Sequence, residues 1–429
     1  MNELIYLLIF FFIVIGIGIK EHKSLDRSLE KIPDRILVNG IRGKSTVTRL
    51  VMGILKEDKR KVVGKTTGTS ARMFYWDQEE EEPIVRGLQG PNISEQKTMA
   101  KKVVDKRADA FVSECMAVHP EYQKVFQAKL AKANITIITN VLEDHMDVMG
   151  PTLRDMAKAF SETIPYNGYV VIPEMPYERI FRRKAAERNS EVIVADESLI
   201  DEEYLKKFPF MIFPQNAALA LAVADIMEID RDVALAGMLK APVDPGAMKV
   251  HRFGSPQRPK YFFNGFAAND VTSTLNIWKR IQELGYPSDN VTIIMNCRDD
   301  RVERTIEFAN QVFPYIKMDQ LVLFGKNVQP ILEKYEEGTI PAERIVNLEK
   351  EPTNKVIEYL NGLPDQSVIY AVGNINQGGA ELVEAVQEQE IYPEHLEDYE
   401  MIESAGKYKK ESRYKKKYSA RSLQTTNNR

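Results

Sequence analysis

The sequence predicts an α/β protein made of two sheet domains behind a single N-terminal membrane helix, and three observations carry that prediction. Strand-like runs alternate with helical ones along most of the chain. A Pro- and Gly-rich stretch at residues 242–259 interrupts the alternation before it restarts, and residues 4–19 contain no charge. Such alternation is the pattern of parallel strands wrapped by helices. At 429 residues the chain exceeds one ordinary core, so two domains are expected.

Taken in order, residues 4–19 are dominated by Leu, Ile and Phe, and at about 1.5 Å per residue they make roughly 24 Å of helix. Tyr6 and Lys20 extend that run into the membrane interfaces. The segment has no basic leader and no small-residue cleavage site, as a removable signal would. Lys20, Lys23 and Arg27 follow it while only Glu3 precedes it, which places the body of the chain in the cytoplasm as a single-pass protein of the cell membrane. A buried core helix is the rival, but no amphipathic face survives in the run.

Strand-like runs follow at 36–38, 62–63, 110–112, 135–138, 169–172 and 192–194, giving a first domain over residues 30–245. The stretch 242–259 reads as a linker and hinge. Runs at 261–263, 291–295, 321–324 and 368–372, with a helix over 270–284, give a smaller second α/β domain over 246–393. Residues 394–429 turn acidic, then basic and polar, and read as a disordered tail.

Charge and cysteine content narrow the function classes. The formal net charge is −4, but residues 407–421 hold eight basic residues against Glu411, so the rest carries −11. An acidic body argues against a nucleic-acid partner. Two cysteines, Cys115 and Cys297, build no disulfide framework and fit a reducing compartment.

The chemistry-bearing motif is Asn39-Gly40-Ile41-Arg42-Gly43-Lys44-Ser45-Thr46. It follows a strand-like run and opens a helix whose apolar positions Val47, Leu50, Val51, Ile54 and Leu55 share one face. A glycine turn at that junction aims backbone N–H groups at phosphate oxygens, at the positive end of the helix dipole. Lys44 would meet the β/γ phosphates and the Ser45 hydroxyl would reach Mg²⁺, so ATP is the expected ligand. Val38 stands where the full P-loop pattern has its first glycine, so the match is to the shorter Gly-x-x-Gly-Lys-Ser form. Glu114 ends a strand-like run, and His145 sits among Glu143, Asp144 and Asp147; both are candidates for Mg²⁺ or Mn²⁺. The acids could instead cap the helix that follows. Cys115 reads as a buried small hydrophobe.

These motifs together resemble the Mur ligase superfamily of ATP-dependent amino-acid ligases. Residues 39–46, 64–72, 89–96, 113–118, 140–152, 264–278 and 295–301, with the N-terminal anchor, resemble in particular the ligase subunits of membrane-bound poly-γ-glutamate synthases. The resemblance implies a P-loop-containing Mur-ligase-like domain followed by a Rossmann-like one. It also implies phosphorylation of a glutamate carboxylate by ATP and displacement of the phosphate by the amine of another glutamate. By the same resemblance Lys44 contacts the β/γ phosphates, Ser45 and Glu114 hold one metal ion, and His145 holds a second. Asn216 lies near the adenine and Asp270 near the ribose and phosphates, although both could equally be helix caps. The remaining residues of the turn, Asn39, Gly40, Arg42, Gly43 and Thr46, complete the nucleotide site.

Substrate and product are polyanions, so Arg42, Arg72, Lys65, Arg298 and Arg301 are candidate carboxylate clamps. The expected partners are glutamate, poly-γ-glutamate and the other membrane subunits of a synthase and export complex. Anionic lipid is a further expected partner, for the basic tail. The chain departs from the superfamily in lacking a sugar-binding domain between anchor and turn. The usual carbamylated lysine is here Phe160, with Lys158 two positions away, and Lys249 or Arg252 stands in for an arginine at the end of the first domain. Two rivals remain at this level. One is a membrane-anchored tyrosine kinase acting on Tyr408, Tyr414 or Tyr418; the other is a nucleotide-gated scaffold without turnover.

Overall fold

The computed structural model describes residues 29–67, 71–85, 93–244, 248–255, 257–266, 268, 270–286 and 290–391, with single positions and short runs between 6 and 16. Among the described residues no helix is long and apolar enough to cross a membrane. The anchor expected at 1–20 lies largely outside the described residues and the tail at 394–429 wholly so.

The chain divides into two compact units: Met1–Phe208 with Ile212–Ala247, and Pro209–Met211 with Met248–Arg429. The first holds an eight-stranded sheet in the order β4-β3-β2-β5-β1-β6-β7-β8. Its strands are β1 (Asp34–Asn39), β2 (Val62–Lys65), β3 (Arg72–Tyr75), β4 (Glu82–Pro83), β5 (Ala110–Glu114), β6 (Ile135–Ile138), β7 (Tyr169–Pro173) and β8 (Glu191–Ala195). All pair in parallel except β3, which reverses against β2, and β4, which reverses against β3. Continuous apolar runs such as Ile36, Leu37 and Val38 are buried, as in a sheet covered on both faces. The register Val38↔Glu114 and Asn39↔Ile138 brings the C-terminal ends of β5, β1 and β6 to one edge, where open α/β sheets bind ligands.

The helix Lys44–Glu57 follows β1 and buries Val47, Leu50, Val51, Ile54 and Leu55, the face its spacing predicts. It packs against the helix Arg231–Leu239 at a glycine contact. A Cβ on Gly237 would lie 2.6 Å from the Gly53 carbonyl oxygen and 2.7 Å from Ile54 Cα. Gly237→Ala gains about 1 kcal/mol of helix propensity. Backbone atoms at that distance cannot yield, and overpacking costs about 1–3 kcal/mol. The variant is therefore expected to unfold at a lower temperature, by about 2–4 °C per kcal/mol, and an unchanged midpoint would mean the helices separate freely.

The second unit holds a six-stranded sheet in the order β13-β12-β11-β14-β10-β9. Its strands are β9 (Val250–Gly254), β10 (Pro259–Asn264), β11 (Val291–Cys297), β12 (Met318–Gly325), β13 (Ala342–Glu349) and β14 (Val368–Gly373). Only β9 is antiparallel, and β11 and β14 lie side by side at the centre. The stretch read as a linker at 242–259 is thus corrected in its second half: β9 occupies it, because the alternation of buried His251 and Phe253 suits an edge strand between glycines and prolines. The segment Pro209–Met211 joins this unit through an antiparallel bridge between Phe210 and Lys249 and a 2.7 Å bond from Met211 N–H to Met248 O. Met211 is buried in the same cluster as Phe263, Trp278 and Phe313.

Candidate active site

The turn after β1 owes its shape to two glycines with positive φ, Gly40 at 123° and Gly43 at 80°. L-residues with a Cβ resist that region. Space also forbids a side chain, since a Cβ at Gly40 would lie 2.2 Å from Thr139 Oγ1 and one at Gly43 2.8 Å from Asn216 Oδ1. The loop after β6 brackets the turn. Asn140 Oδ1 accepts from the N–H groups of Ile41 (3.2 Å) and Arg42 (3.0 Å), and its amide donates to Arg42 O at 3.0 Å. Thr139 Oγ1 donates to the same carbonyl at 2.7 Å. Asn140 was not singled out from the sequence; the signal available was its place directly after a strand-like run.

Lys44 folds back over the turn, donating to Gly40 O at 2.8 Å and Ile41 O at 3.0 Å. Desolvation holds its ammonium below the usual lysine range, partly opposed by the nearby Glu114 carboxylate. Glu114, at the end of β5 and 3% exposed, accepts from Ser45 Oγ and from Thr67 N–H, both at 2.9 Å on Oε2. Three segments that are far apart in sequence therefore converge on one buried carboxylate beside a cation.

The other sequence-predicted residues fall in several places. Asn39 is buried, accepting from Gly40 N–H and donating to Gln123 Oε1 at 2.9 Å, so its side chain shapes the turn. Thr46 lies half-buried in the first turn of the helix. Asn216 sits against Gly43 near the start of the helix Pro214–Ile226, and Gln215 donates to Thr139 O at 3.0 Å. Arg42 is exposed and lies 3.7 Å from Asp144 Oδ2. His145 is 53% exposed with Nε2 3.6 Å from Asp144 Oδ1, and among the described residues its ion-pair contact is with Asp144, away from Ser45 and Glu114. Lys65 is 1% exposed at the end of β2. Arg72 lies 4.0 Å from Glu81, whose carboxylate also holds the buried Arg49.

Phe160 is buried in the cluster containing Ile41, while Lys158 points to solvent and pairs with Asp155 at 2.8 Å. Neither position carries a lysine toward the turn. Burial pushes the Cys115 thiol up to about 11, which fits an inert hydrophobe rather than a nucleophile.

In the second unit, Asp270 caps the helix Val271–Glu283, its Oδ1 accepting from Ser273 N–H at 2.8 Å. Arg298 is held by Asp300 at 2.6 Å, and Arg301 precedes the helix Val302–Gln311. Arg304, which the sequence reading missed, donates to Asn374 Oδ1 at 2.5 Å, just beyond β14. Burial first, and then the charges of Arg301 and Arg298, pull its guanidinium below the ordinary arginine range, partly opposed by Glu307. Beside them Asn296, at the end of β11, donates to the carbonyls of Asn374 (2.7 Å) and Asn376 (2.9 Å), while its Oδ1 is buried without a partner.

Ser45 and Glu114 supply hard oxygen donors, a set that suits Mg²⁺ or Mn²⁺. Among the described residues no three His, Cys, Asp or Glu side chains gather into a metal cage. Mg²⁺ commonly takes one or two carboxylates and completes its shell with waters and substrate phosphates.

Comparison with known proteins identifies the family of the chain. The family described as Mur ligase middle domain matches residues 38–237, and that described as Poly-gamma-glutamate synthase CapB C-terminal domain matches residues 250–389. The chain is 54% identical over 379 residues to PGA synthase CapB of Bacillus subtilis (strain 168), covering 88% of this chain and 96% of that one. It is 50% identical over 374 residues to the Capsule biosynthesis protein CapB of Bacillus anthracis, covering 87% and 81%. Among solved structures, folylpolyglutamate synthase from Thermotoga maritima matches with a TM-score of 0.58 at 13% identity, over 87% of this chain and 94% of that one. FolC of E. coli in complex with DHPP and ADP matches with a TM-score of 0.57 at 15% identity, over 86% and 92%. At those identities the structural likeness shows the fold: α/β, Mur-ligase-like, with two sheets.

Proposed function

The chain belongs to the poly-γ-glutamate synthase CapB family of Mur ligases and is an ATP-dependent amide ligase, and from that premise we propose how its residues divide the work. ATP phosphorylates the terminal carboxylate of a glutamyl chain, ADP leaves, and the amine of another glutamate attacks the acyl carbon, expelling phosphate as the amide forms. A carboxylate is a poor electrophile until one oxygen becomes a leaving group.

We read the turn Gly40–Lys44 as a P-loop. Its backbone N–H groups and the helix Lys44–Glu57 receive the phosphates, and Lys44 exchanges the carbonyls of Gly40 and Ile41 for β/γ oxygens. Ser45 and Glu114 are the residues that would hold Mg²⁺ or Mn²⁺, and the bound ion would spread the charge that develops during phosphoryl transfer. His145, facing solvent beside Asp144, is available to a second ion. Asn216 orders the nucleotide side of the turn through Gly43.

Arg298, Arg301 and the newly identified Arg304 form the carboxylate clamp of the second, Rossmann-like unit, and Arg42 and Arg72 serve the first. Asp270, which caps its own helix, is the second unit's candidate for the ribose and phosphates. The observation that carries the reading is the convergence of Lys44, Ser45 and Thr67 about the buried Glu114.

The membrane assignment is supported by the uncharged run at residues 4–19, in which Phe10, Phe11, Phe12 and Ile13 are helical and exposed. A single span cannot carry a polyanion across a bilayer, so separate membrane subunits are expected to export the product. The basic tail suits anionic headgroups at about 1 kcal/mol per charge.

The test is to incubate the chain with ATP, Mg²⁺ and glutamate while following ADP, γ-linked polymer and phosphotyrosine. Glutamate-dependent ADP release with γ-linked product is the expected result. Phosphotyrosine on Tyr408, Tyr414 or Tyr418 without polymer would favour a kinase instead, and no ADP would favour a scaffold.

A further inference from the structure

The first unit contains a second positively charged feature, separate from the glycine turn. A cavity of about 920 Å³ opens between the helices Leu153–Ser161 and Glu178–Glu187. Arg154, Lys158, Arg179, Arg182 and Arg183 line it together with Tyr177, and among the described residues no acidic side chain does. Five cations gathered on a body that carries −11 outside its tail stand against the background charge, so this concavity selects anions.

The pairing of these cations is uneven. Lys158 is held by Asp155 at 2.8 Å, Arg182 by Glu178 at 2.5 Å, and Arg183 lies 3.9 Å from Glu187. Each is an exposed pair within its own helix, a kind of contact that contributes little and is screened by solvent, so an incoming anion competes with it easily. Arg154 and Arg179, one from each helix, have no ion pair among the described residues and remain exposed.

Position supplies the second line of argument. The strands β6 and β7 run parallel to β1, so the segments that leave their C-terminal ends share the edge on which the glycine turn sits. The loop after β6 holds Asn140 and His145 and leads, through the short helix Met146–Met149, into the helix that carries Arg154 and Lys158. The loop after β7 leads through Tyr177 into the helix that carries Arg179, Arg182 and Arg183. Beneath them Phe160 and Phe181 are buried in one cluster, which fixes the two helices against the sheet.

We infer that this cavity is a docking surface for the growing poly-γ-glutamate chain, upstream of its reacting end. The inference rests on the proposed polymerase reading. In a γ-linked chain every residue keeps a free α-carboxylate, so the polymer presents a row of single negative charges. Guanidinium groups from two helices meet such a row bidentately. A nucleotide would instead need the backbone N–H cradle that the glycine turn supplies. Docking holds the product against the enzyme between additions, so that elongation proceeds on one chain rather than on many short ones.

The test uses the full chain and poly-γ-glutamate of defined length carrying a fluorophore, with anisotropy read at low salt in the absence of nucleotide. The parent is expected to bind, and R154E/R179E to bind at least tenfold more weakly. R154Q/R179Q should fall between them, and thermal unfolding should be the same for all three because both side chains are exposed. Affinity should also fall with ionic strength. Equal affinity of parent and reversal variant for the polymer would overturn the proposal. So would a parent that ignores the polymer but binds phosphatidylglycerol vesicles in an Arg154- and Arg179-dependent way, which would make the surface a membrane contact. Because binding is measured without ATP, a parent that binds polymer yet releases no ADP leaves the surface standing and overturns the ligase residue assignments alone.

Discussion

Lys44→Ala should remove polymer synthesis and glutamate-dependent ADP release, by on the order of 10²–10³-fold or more in kcat, while leaving the chain folded. The size of the effect follows from position. The Lys44 ammonium lies on the glycine turn itself, against the carbonyls of Gly40 and Ile41. Transfer of the γ-phosphoryl group depends on cations placed where charge develops, in a site where solvent cannot reorganise to help. The cost to stability is small by comparison. Two partly accessible hydrogen bonds are lost, each worth about 1 kcal/mol, and the carbonyls left behind turn to water. Product analysis together with thermal unfolding checks this; synthesis at the parent rate would contradict the site assignment.

Glu114→Gln should lower kcat by a similar order, with a raised Mg²⁺ requirement and a change in pH dependence. Glutamine keeps the volume and one acceptor oxygen for Ser45 Oγ and Thr67 N–H, so the loop geometry survives. What disappears is the negative charge. Burial lowers the Lys44 pKa and Glu114 is the largest influence opposing it. With that carboxylate neutralised, the Lys44 pKa falls further and the alkaline limb of the pH–rate profile moves to lower pH. A variant that is slow but keeps the parent's Mg²⁺ requirement and pH profile would show Glu114 to be a structural acceptor only.

The phosphate turn was legible in the sequence because its determinants are contiguous. Two glycines, a lysine and a serine between a strand and a helix specify the local backbone, and φ values of 123° and 80° at Gly40 and Gly43 are what such spacing demands. Central strands were equally legible, since Ile36, Val112 and Ile137 lie in apolar runs that only a doubly covered sheet absorbs. The edge strand β8 was read from its run at 192–194, but β3, β4, β9 and β13 were not: β4, β9 and β13 are edges whose sequences mix charge or proline with apolar residues, and β3 is a short strand that pairs antiparallel on both sides.

Side-chain brackets assembled from distant segments were also hidden. Asn140 is about a hundred positions from the N–H groups it accepts from, and Arg304 reaches Asn374 across seventy. No local pattern announces either. Asp270 shows the opposite case: its place before a helical run was read both as a cap and as a site residue, and the cap is the contact it makes within its own unit.

The segment Pro209–Met211 has a consequence for biosynthesis. These residues leave the ribosome well before Met248 and Lys249, the positions they pair with, and before the strands whose core encloses Met211. Nascent chains complete domains from the N-terminal side. Here the leading domain takes up Ile212–Ala247 after a stub whose partner is not yet translated. A gene cut at codon 248 would yield a trailing fragment missing part of its own interior, so the two halves are one unit of expression even though each has its own sheet.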